Sequence, residues 1–270
     1  VSKDSESETF LQETGPAERK QDTSTSLVLA NGLDVLSLVA KTNGELSLRE
    51  IGHILGLSST VTHRLVATLR HRNFLEKNPA TGKYIIGIES YRVGQSYTET
   101  MKTEAVAKPI LQEAGQRLGV NCFLGVRKDT SIVYLYDFSA ARRSSIRLAP
   151  GTEVPLVATA MGLSILADLS EARLKEFKDR VFQDNAVGET FLAEFDAQIE
   201  FARKNGYALI RSELFPGVVT VGAKIAQGHS DIEAAISFGL PSDAASEAHL
   251  AKLGESILAT ARRIEQALTS

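Results

Sequence analysis

The stretch Ser47-Leu48-Arg49-Glu50-Ile51-Gly52-His53-Ile54-Leu55-Gly56-Leu57-Ser58-Ser59-Thr60-Val61-Thr62-His63-Arg64-Leu65 decides how this chain is read. Its first four residues have the form of a capping box, in which a serine hydroxyl and a glutamate carboxylate satisfy each other's orphan amides at a helix start. Gly56 falls where the chain must turn, because a left-handed backbone costs glycine almost nothing. Ser58 then offers a second N-cap, and Val61, Leu65 and Leu69 form an apolar stripe on a helix predicted over about Ser59 to Arg72. Two capped helices, the first one short, joined through a glycine turn make a helix-turn-helix pattern.

The flanks complete that pattern. Leu27, Ala30, Leu33, Val35, Leu36, Leu38 and Val39 keep helical spacing until Thr42-Asn43-Gly44, so a further helix precedes the capped pair. After it, Phe74 to Lys77 and Lys83 to Ile86 read as two strands joined across the turn formers Asn78-Pro79-Ala80-Thr81-Gly82. Residues 27–87 are therefore predicted to form a winged helix-turn-helix domain. A linker helix is predicted over 88–102, with Tyr91 and Tyr97 as candidates either for contacts between subunits or for packing back on their own domain. Residues 1–26 lack periodicity and carry three Lys or Arg against six Asp or Glu, which predicts a disordered tail.

The chain has 270 residues, 43% of them hydrophobic, and a formal net charge of -3. That length predicts two folded domains. A net negative charge looks unsuited to nucleic acid, but a whole-chain sum hides its distribution. Within residues 27–90 seven Lys or Arg stand against five Asp or Glu, and three of the five histidines, His53, His63 and His71, lie there too. At about 100° per residue, the stripe Val61, Leu65 and Leu69 turns Ser59, Thr60, His63, Ala67 and Arg70 to the opposite face, with Arg64 beside it. Small and polar side chains on that face suit a helix entering a major groove, and Ser59, Thr60 and His63 lie near the helix N-terminus, which attracts phosphate. On the wing, Lys77 and Lys83 are candidate phosphate contacts. Any one of these residues alone would read as solvated surface; their joint spacing points to double-stranded DNA.

Beyond Thr103 helices and strands mix. A helix ending at Gly119 leads to strands at Cys122 to Arg127, Ile132 to Asp137 and Ile146 to Leu148. Helices at about Ala158 to Leu169, Glu171 to Arg180 and Phe191 to Asn205 follow. Strands then run over Tyr207 to Glu213, Val218 to Ile225 and Ile232 to Gly239, and a helix over about Ala244 to Leu268 comes last. This order predicts an α+β domain over 103–270 around an antiparallel sheet.

Several function classes find no support. No apolar run approaches the roughly 20 residues that span a bilayer, and the first residues do not resemble a secretion signal. The single cysteine, Cys122, excludes an intrachain disulfide and a thiolate metal cluster, so a cytoplasmic location is expected. A thiol beside a strand reads more readily as inert core than as a redox sensor. The chain lacks a glycine-rich phosphate loop, a G-x-S-x-G elbow and an H-E-x-x-H pair, and outside the DNA-binding region only His229 and His249 remain. Neither catalytic residues nor a metal or cofactor are expected. The alternatives are a DNA-organising protein without sequence preference and, with less support, an enzyme acting in the C-terminal domain.

The quoted stretch, with Leu69 and Tyr84 to Gly87, resembles the DNA-binding domain of IclR-family regulators. The second half agrees: Gly151-Thr152-Glu153-Val154-Pro155-Leu156, Ala158-Thr159-Ala160-Met161-Gly162, Gly206-Tyr207, Gly217-Val218 and Ala235-Ile236-Ser237 are similar to that family's effector domain. The resemblance covers roughly residues 27–268. It implies a winged helix-turn-helix, a linker helix and a GAF-like effector domain, in a homodimer or homotetramer on palindromic operators controlled by a metabolite, often a carboxylate or an aromatic compound. By the same resemblance, Leu156, Ala160, Met161 and Gly162 wall an effector pocket, Thr220, Ser237 and Gly239 fall at polar contact positions, and Val218 at an apolar one. Glu213 is a candidate for orienting a ligand hydroxyl or for capping a loop. Gly239 stands where some relatives carry a hydroxyl, which enlarges the implied pocket beyond a two- or three-carbon acid.

Overall fold

The structure, a computed structural model, describes residues 26–42, 45–100, 102–140, 148–182, 188–211, 216–226 and 232–269. The tail up to residue 25, Asn43-Gly44, Ile146-Arg147, Glu213 and His229 lie outside the described residues. The chain divides into two compact units, with the division between Met101 and Lys102.

In the first unit, helix α1 (Leu27–Lys41) turns Val35 and Val39 inward. Helix α2 (Leu48–Ile54) starts at the predicted capping box: the Ser47 amide donates to Glu50 Oε2 at 2.7 Å and the Glu50 amide to Ser47 Oγ at 3.3 Å. Gly56, at φ 63°, reverses the chain, and Ser58 caps helix α3 (Ser59–His71). Strands β1 (Leu75–Lys77) and β2 (Tyr84–Ile86) pair antiparallel as the wing, and helix α4 (Ile88–Thr100) follows. Val35, Val39, Ile51, Leu65, Val66 and Leu75 meet in one small core.

One prediction here needs correction. The buried side of α3 is Thr62, Leu65 and Val66, with Leu69 half-buried, and Val61 points outward at 39% exposed. The cause is the close approach of α2. A Cβ added to Gly52 would lie 2.9 Å from Thr62 Oγ1, so the missing side chain makes room for the threonine. The Thr62 hydroxyl donates to the Ser58 carbonyl at 3.0 Å, so it is buried with its hydrogen bond already made.

The second unit begins with helix α5 (Lys102–Leu118). Strands β3 (Asn121–Lys128), β4 (Ser131–Phe138) and β5 (Glu153–Pro155) lead through a short 3-10 turn into helix α6 (Ala160–Ala167). Helices α7 (Glu171–Phe182) and α8 (Glu189–Asn205), strands β6 (Ala208–Arg211), β7 (Val218–Ile225) and β8 (Ala234–Pro241), and helix α9 (Glu247–Thr269) complete it. The six strands form one antiparallel sheet in the order β5-β4-β3-β8-β7-β6. The third strand among the described residues is Glu153–Pro155, a segment not predicted as a strand. Of the strand predicted over 146–148 only Leu148 is described, a buried residue outside any strand. Pro155 ends β5 at the sheet edge, the place where a strand tolerates a residue without an amide hydrogen.

The sheet is covered on both faces. Gly115 of α5 packs against the Phe138 ring and the Cys122 sulfur, and α9 packs on α5 and β7. Helix α6 lies on the other face, with the Ala160 carbonyl directly against Gly222 of β7. Phe123, Ile132, Tyr134, Leu163, Phe195 and Ala235 belong to the core on that side. Among the described residues no helix is long and apolar enough to cross a membrane.

Candidate nucleic-acid interface and ligand face

The corrected phase of α3 changes which side chains lead outward. At about 100° per residue, moving the buried set from Val61, Leu65 and Leu69 to Thr62, Leu65 and Val66 turns the outward direction by roughly 50°. Thr60, Arg64, Ala67 and His71 now form the outermost line. His63 stands next to it, Ser59 and Arg70 lie on one flank, and Val61 and Thr68 on the other; all are exposed. His71 is absent from the face predicted from the sequence because the apolar stripe behind that face is out of phase by about half a residue's turn. Among the described residues Arg64, Arg70 and Lys77 form no ion pair, so their charge is free for an external anion.

The two wing lysines differ. Lys83 Nζ lies 3.7 Å from Glu50 Oε1, whereas Lys77 is exposed at the end of β1. The Ser47 backbone amide, the Ser47 hydroxyl and Lys83 together hold the Glu50 carboxyl below its ordinary range. The wing turn is built from Asn78, whose side-chain oxygen accepts from the Ala80 amide at 2.9 Å and whose carbonyl accepts from the Gly82 amide at 2.8 Å. Asn78 Nδ2 also donates to Glu45 Oε1 at 2.7 Å, fastening the wing to the segment before α2. No local signal announces that contact, since the partners are 33 residues apart.

In the second unit, Val218, Thr220, Ser237 and Gly239 share one sheet face. Thr220 pairs with Gly239, Gly239 with Asn121, and Ser237 with both Phe123 and Gly222. Residues directly opposite in a ladder point to the same side, and Gly222 fixes that side as the one under α6. Val218 and Ser237 are buried and Thr220 is half-buried. Leu156, Ala160, Met161 and Gly162 lie above the same face and are fully buried. Gly162 has no room for a side chain against the Leu156 backbone, and its amide donates to the Thr159 hydroxyl at 2.9 Å. Phe123 and Tyr134 meet edge to face, with centroids 5.7 Å apart, and burial raises the Tyr134 phenol above its ordinary range.

An open cleft of about 590 Å³ lies elsewhere in this unit, between the end of α6 and β7, and shares no residue with that set. Its charges are already paired: Lys224 with Asp168 at 2.5 Å, Arg127 with Glu233 at 2.7 Å, and Glu265 with the Ala226 amide at 2.7 Å. Cys122 is fully buried and its thiol is pushed up to about 12, which fits the inert reading rather than the sensor one. Among the described residues no three His, Cys, Asp or Glu side chains are placed to hold a metal ion.

Comparison with known proteins agrees with both units. Residues 28–79 match the family described as the IclR helix-turn-helix domain, and residues 95–266 the one described as Bacterial transcriptional regulator IclR C-terminal. The chain is 28% identical to the HTH-type transcriptional regulator BhcR of Paracoccus denitrificans, over 87% of this chain and 85% of that protein. Its fold is similar to that of an IclR family transcriptional regulator from Brucella abortus, with a TM-score of 0.78, 22% identity, and 94% and 96% of the two chains covered. It is also similar to an IclR homolog from Microbacterium hydrocarbonoxydans complexed with 4-hydroxybenzoate, with a TM-score of 0.76, 21% identity, and 90% and 99% covered.

Proposed function

The chain belongs to the IclR family of DNA-binding transcriptional regulators, and from that premise we propose that a small organic effector sets how tightly paired copies hold a palindromic operator. The observation that carries this reading is the outward face of α3. It is exposed, polar, free of large apolar side chains along its centre, and supplied with arginines that are not internally neutralised. Arg64, Thr60 and His63 meet the groove; Ser59, Arg70 and Lys77 take phosphates. Lys83 has a divided role, because it also anchors the wing to Glu50.

In this reading residues 27–87 bind DNA, 88–102 link, and 103–270 sense the effector, all in the cytoplasm. Pairing of copies is supported by α4. None of its described side chains is buried, and Ile88, Tyr91, Val93 and Tyr97 are 48–61% exposed. Its first turn is fastened to the unit through Ser90 Oγ donating to the Phe74 carbonyl at 3.1 Å, and a 13-residue helix without a buried apolar face is marginal in water, so a second copy is the natural cover for these side chains. The effector is a carboxylate or an aromatic compound held over the face that carries Val218, Thr220, Ser237 and Gly239, beside α6. It acts by preferring one arrangement of the paired copies, since a ligand of equal affinity for both would shift nothing.

The test has two steps. Sequencing the double-stranded genomic fragments that the purified protein retains should return an inverted repeat. Titrating retained fragments with small carboxylates and aromatic acids, 4-hydroxybenzoate among them, should then change affinity for some compound. Retention of fragments without a shared motif would favour non-specific DNA organisation instead, and an operator affinity indifferent to every compound that binds the protein would remove the effector part.

A further inference from the structure

We infer that Arg64 and Ala67 are the base-reading positions of α3, Arg64 for a guanine and Ala67 for the C5-methyl of a thymine on the neighbouring base pair. This rests on the sequence-specific DNA binding proposed above and names what that face recognises. A helix with its side chains is about 10–12 Å across and the major groove about 12 Å wide, so only the outermost line reaches base edges and the flanks meet the phosphate walls. That line is fixed by burial. With Thr62, Leu65 and Val66 inward, Arg64 and Ala67 stand at the middle of the exposed side, while Thr60 and His71 stand at its ends.

The chemistry at the two central positions differs. Arg64 forms no ion pair among the described residues, and its planar fork matches the paired acceptors O6 and N7 of guanine. Ala67 is the only side chain of the line without a polar atom and is its smallest, so it allows the helix its closest approach and offers a methyl to a methyl. The two residues are separated by about 4.5 Å along the helix axis, close to the 3.4 Å step between base pairs, which places their targets on adjacent pairs. Ser59 and Arg70 lie on the flank and bind the backbone without reading sequence.

The experiment selects binding sites from a randomised double-stranded oligonucleotide pool with the full chain and with Arg64→Ala, Arg64→Lys, Ala67→Gly and Arg70→Ala, all at exposed positions. Arg64→Ala should erase one guanine preference in each half-site, a loss of discrimination of roughly tenfold or more, and Arg64→Lys should only partly restore it. Replacing the adjacent thymine by deoxyuridine, which removes its methyl, should weaken the unaltered protein roughly fourfold and leave Ala67→Gly unaffected. Arg70→Ala should weaken all sequences alike and flatten the salt dependence. A guanine preference that survives Arg64→Ala, or deoxyuridine that weakens the unaltered protein and Ala67→Gly equally, overturns the assignment while leaving sequence-specific binding intact. A pool from which the unaltered protein selects no motif removes specific binding itself, and the assignment with it.

Discussion

Each of the two units is held together internally by contacts of its own range. In the DNA-binding unit the capping contacts that start its helices are three or four residues apart: Ser47 with Glu50, Ser58 with the Val61 amide, and Thr62 with Ser58. In the effector unit the central ladder joins β3 to β8, setting Asn121 opposite Gly239, and the Arg127–Glu233 ion pair closes across 106 residues. The first unit should therefore respond to changes in local signals, and the second to changes where distant backbones touch.

The largest effect should come from Gly222→Val. Its side chain would be forced into the Ala160 carbonyl and the Met161 amide, both backbone atoms that cannot swing aside. A loss of about 3 kcal/mol is expected, seen in calorimetry as an earlier melting of the effector unit with the transition of the DNA-binding unit unmoved. Simultaneous loss of both transitions would show that the two units do not melt separately. Somewhat smaller is the effect expected at α3. Thr62→Lys would bury an unpaired ammonium at a position only 1% exposed and should cost about 2–3 kcal/mol. Val61→Lys, one residue away, should stay within about 0.5 kcal/mol. The reverse ranking in urea titrations would restore the stripe read from the sequence.

That pair of substitutions marks where the sequence was and was not legible. Both caps, the glycine turn and the wing were legible because each is made by residues close in the chain. The phase of α3 was not. An apolar stripe at Val61, Leu65 and Leu69 is a sound pattern, but a buried threonine with its hydroxyl bonded to Ser58 competes for the inward side once Gly52 brings α2 close. Only the packing of two helices decides between them. In the effector unit the strand positions were largely legible from alternation and turn residues, whereas the pairing order was not, and β5 was missed because Glu153-Val154-Pro155 is short and ends in proline. The common face of Thr220, Ser237 and Gly239 came through resemblance and is supported geometrically by the register. Glu45's hold on Asn78 had no signal at all.

A local change should be correspondingly modest. Ser47→Ala removes the hydroxyl that caps α2 and should cost about 1 kcal/mol, with a drop in operator affinity no larger than that loss of helix order explains. Operator affinity that falls a hundredfold while the melting temperature holds would instead make Ser47 a DNA contact.

The smallest effect is a pH dependence centred on the same cap. The Ser47 amide, the Ser47 hydroxyl and Lys83 hold the folded Glu50 carboxyl below its ordinary value, so the unfolded chain binds a proton more readily there than the folded one. Its contribution is thus fully present above the unfolded carboxylate range, near about 4.3, and is lost as pH falls through the lower folded value. Glu50 is exposed, which keeps the contribution small. The difference in stability between the unaltered chain and Glu50→Gln should be flat from neutral pH down to the carboxylate range and then shrink on further acidification. A difference that grows with acid would mean that the carboxyl is held in its neutral form, and the capping box would not be what orders the start of α2.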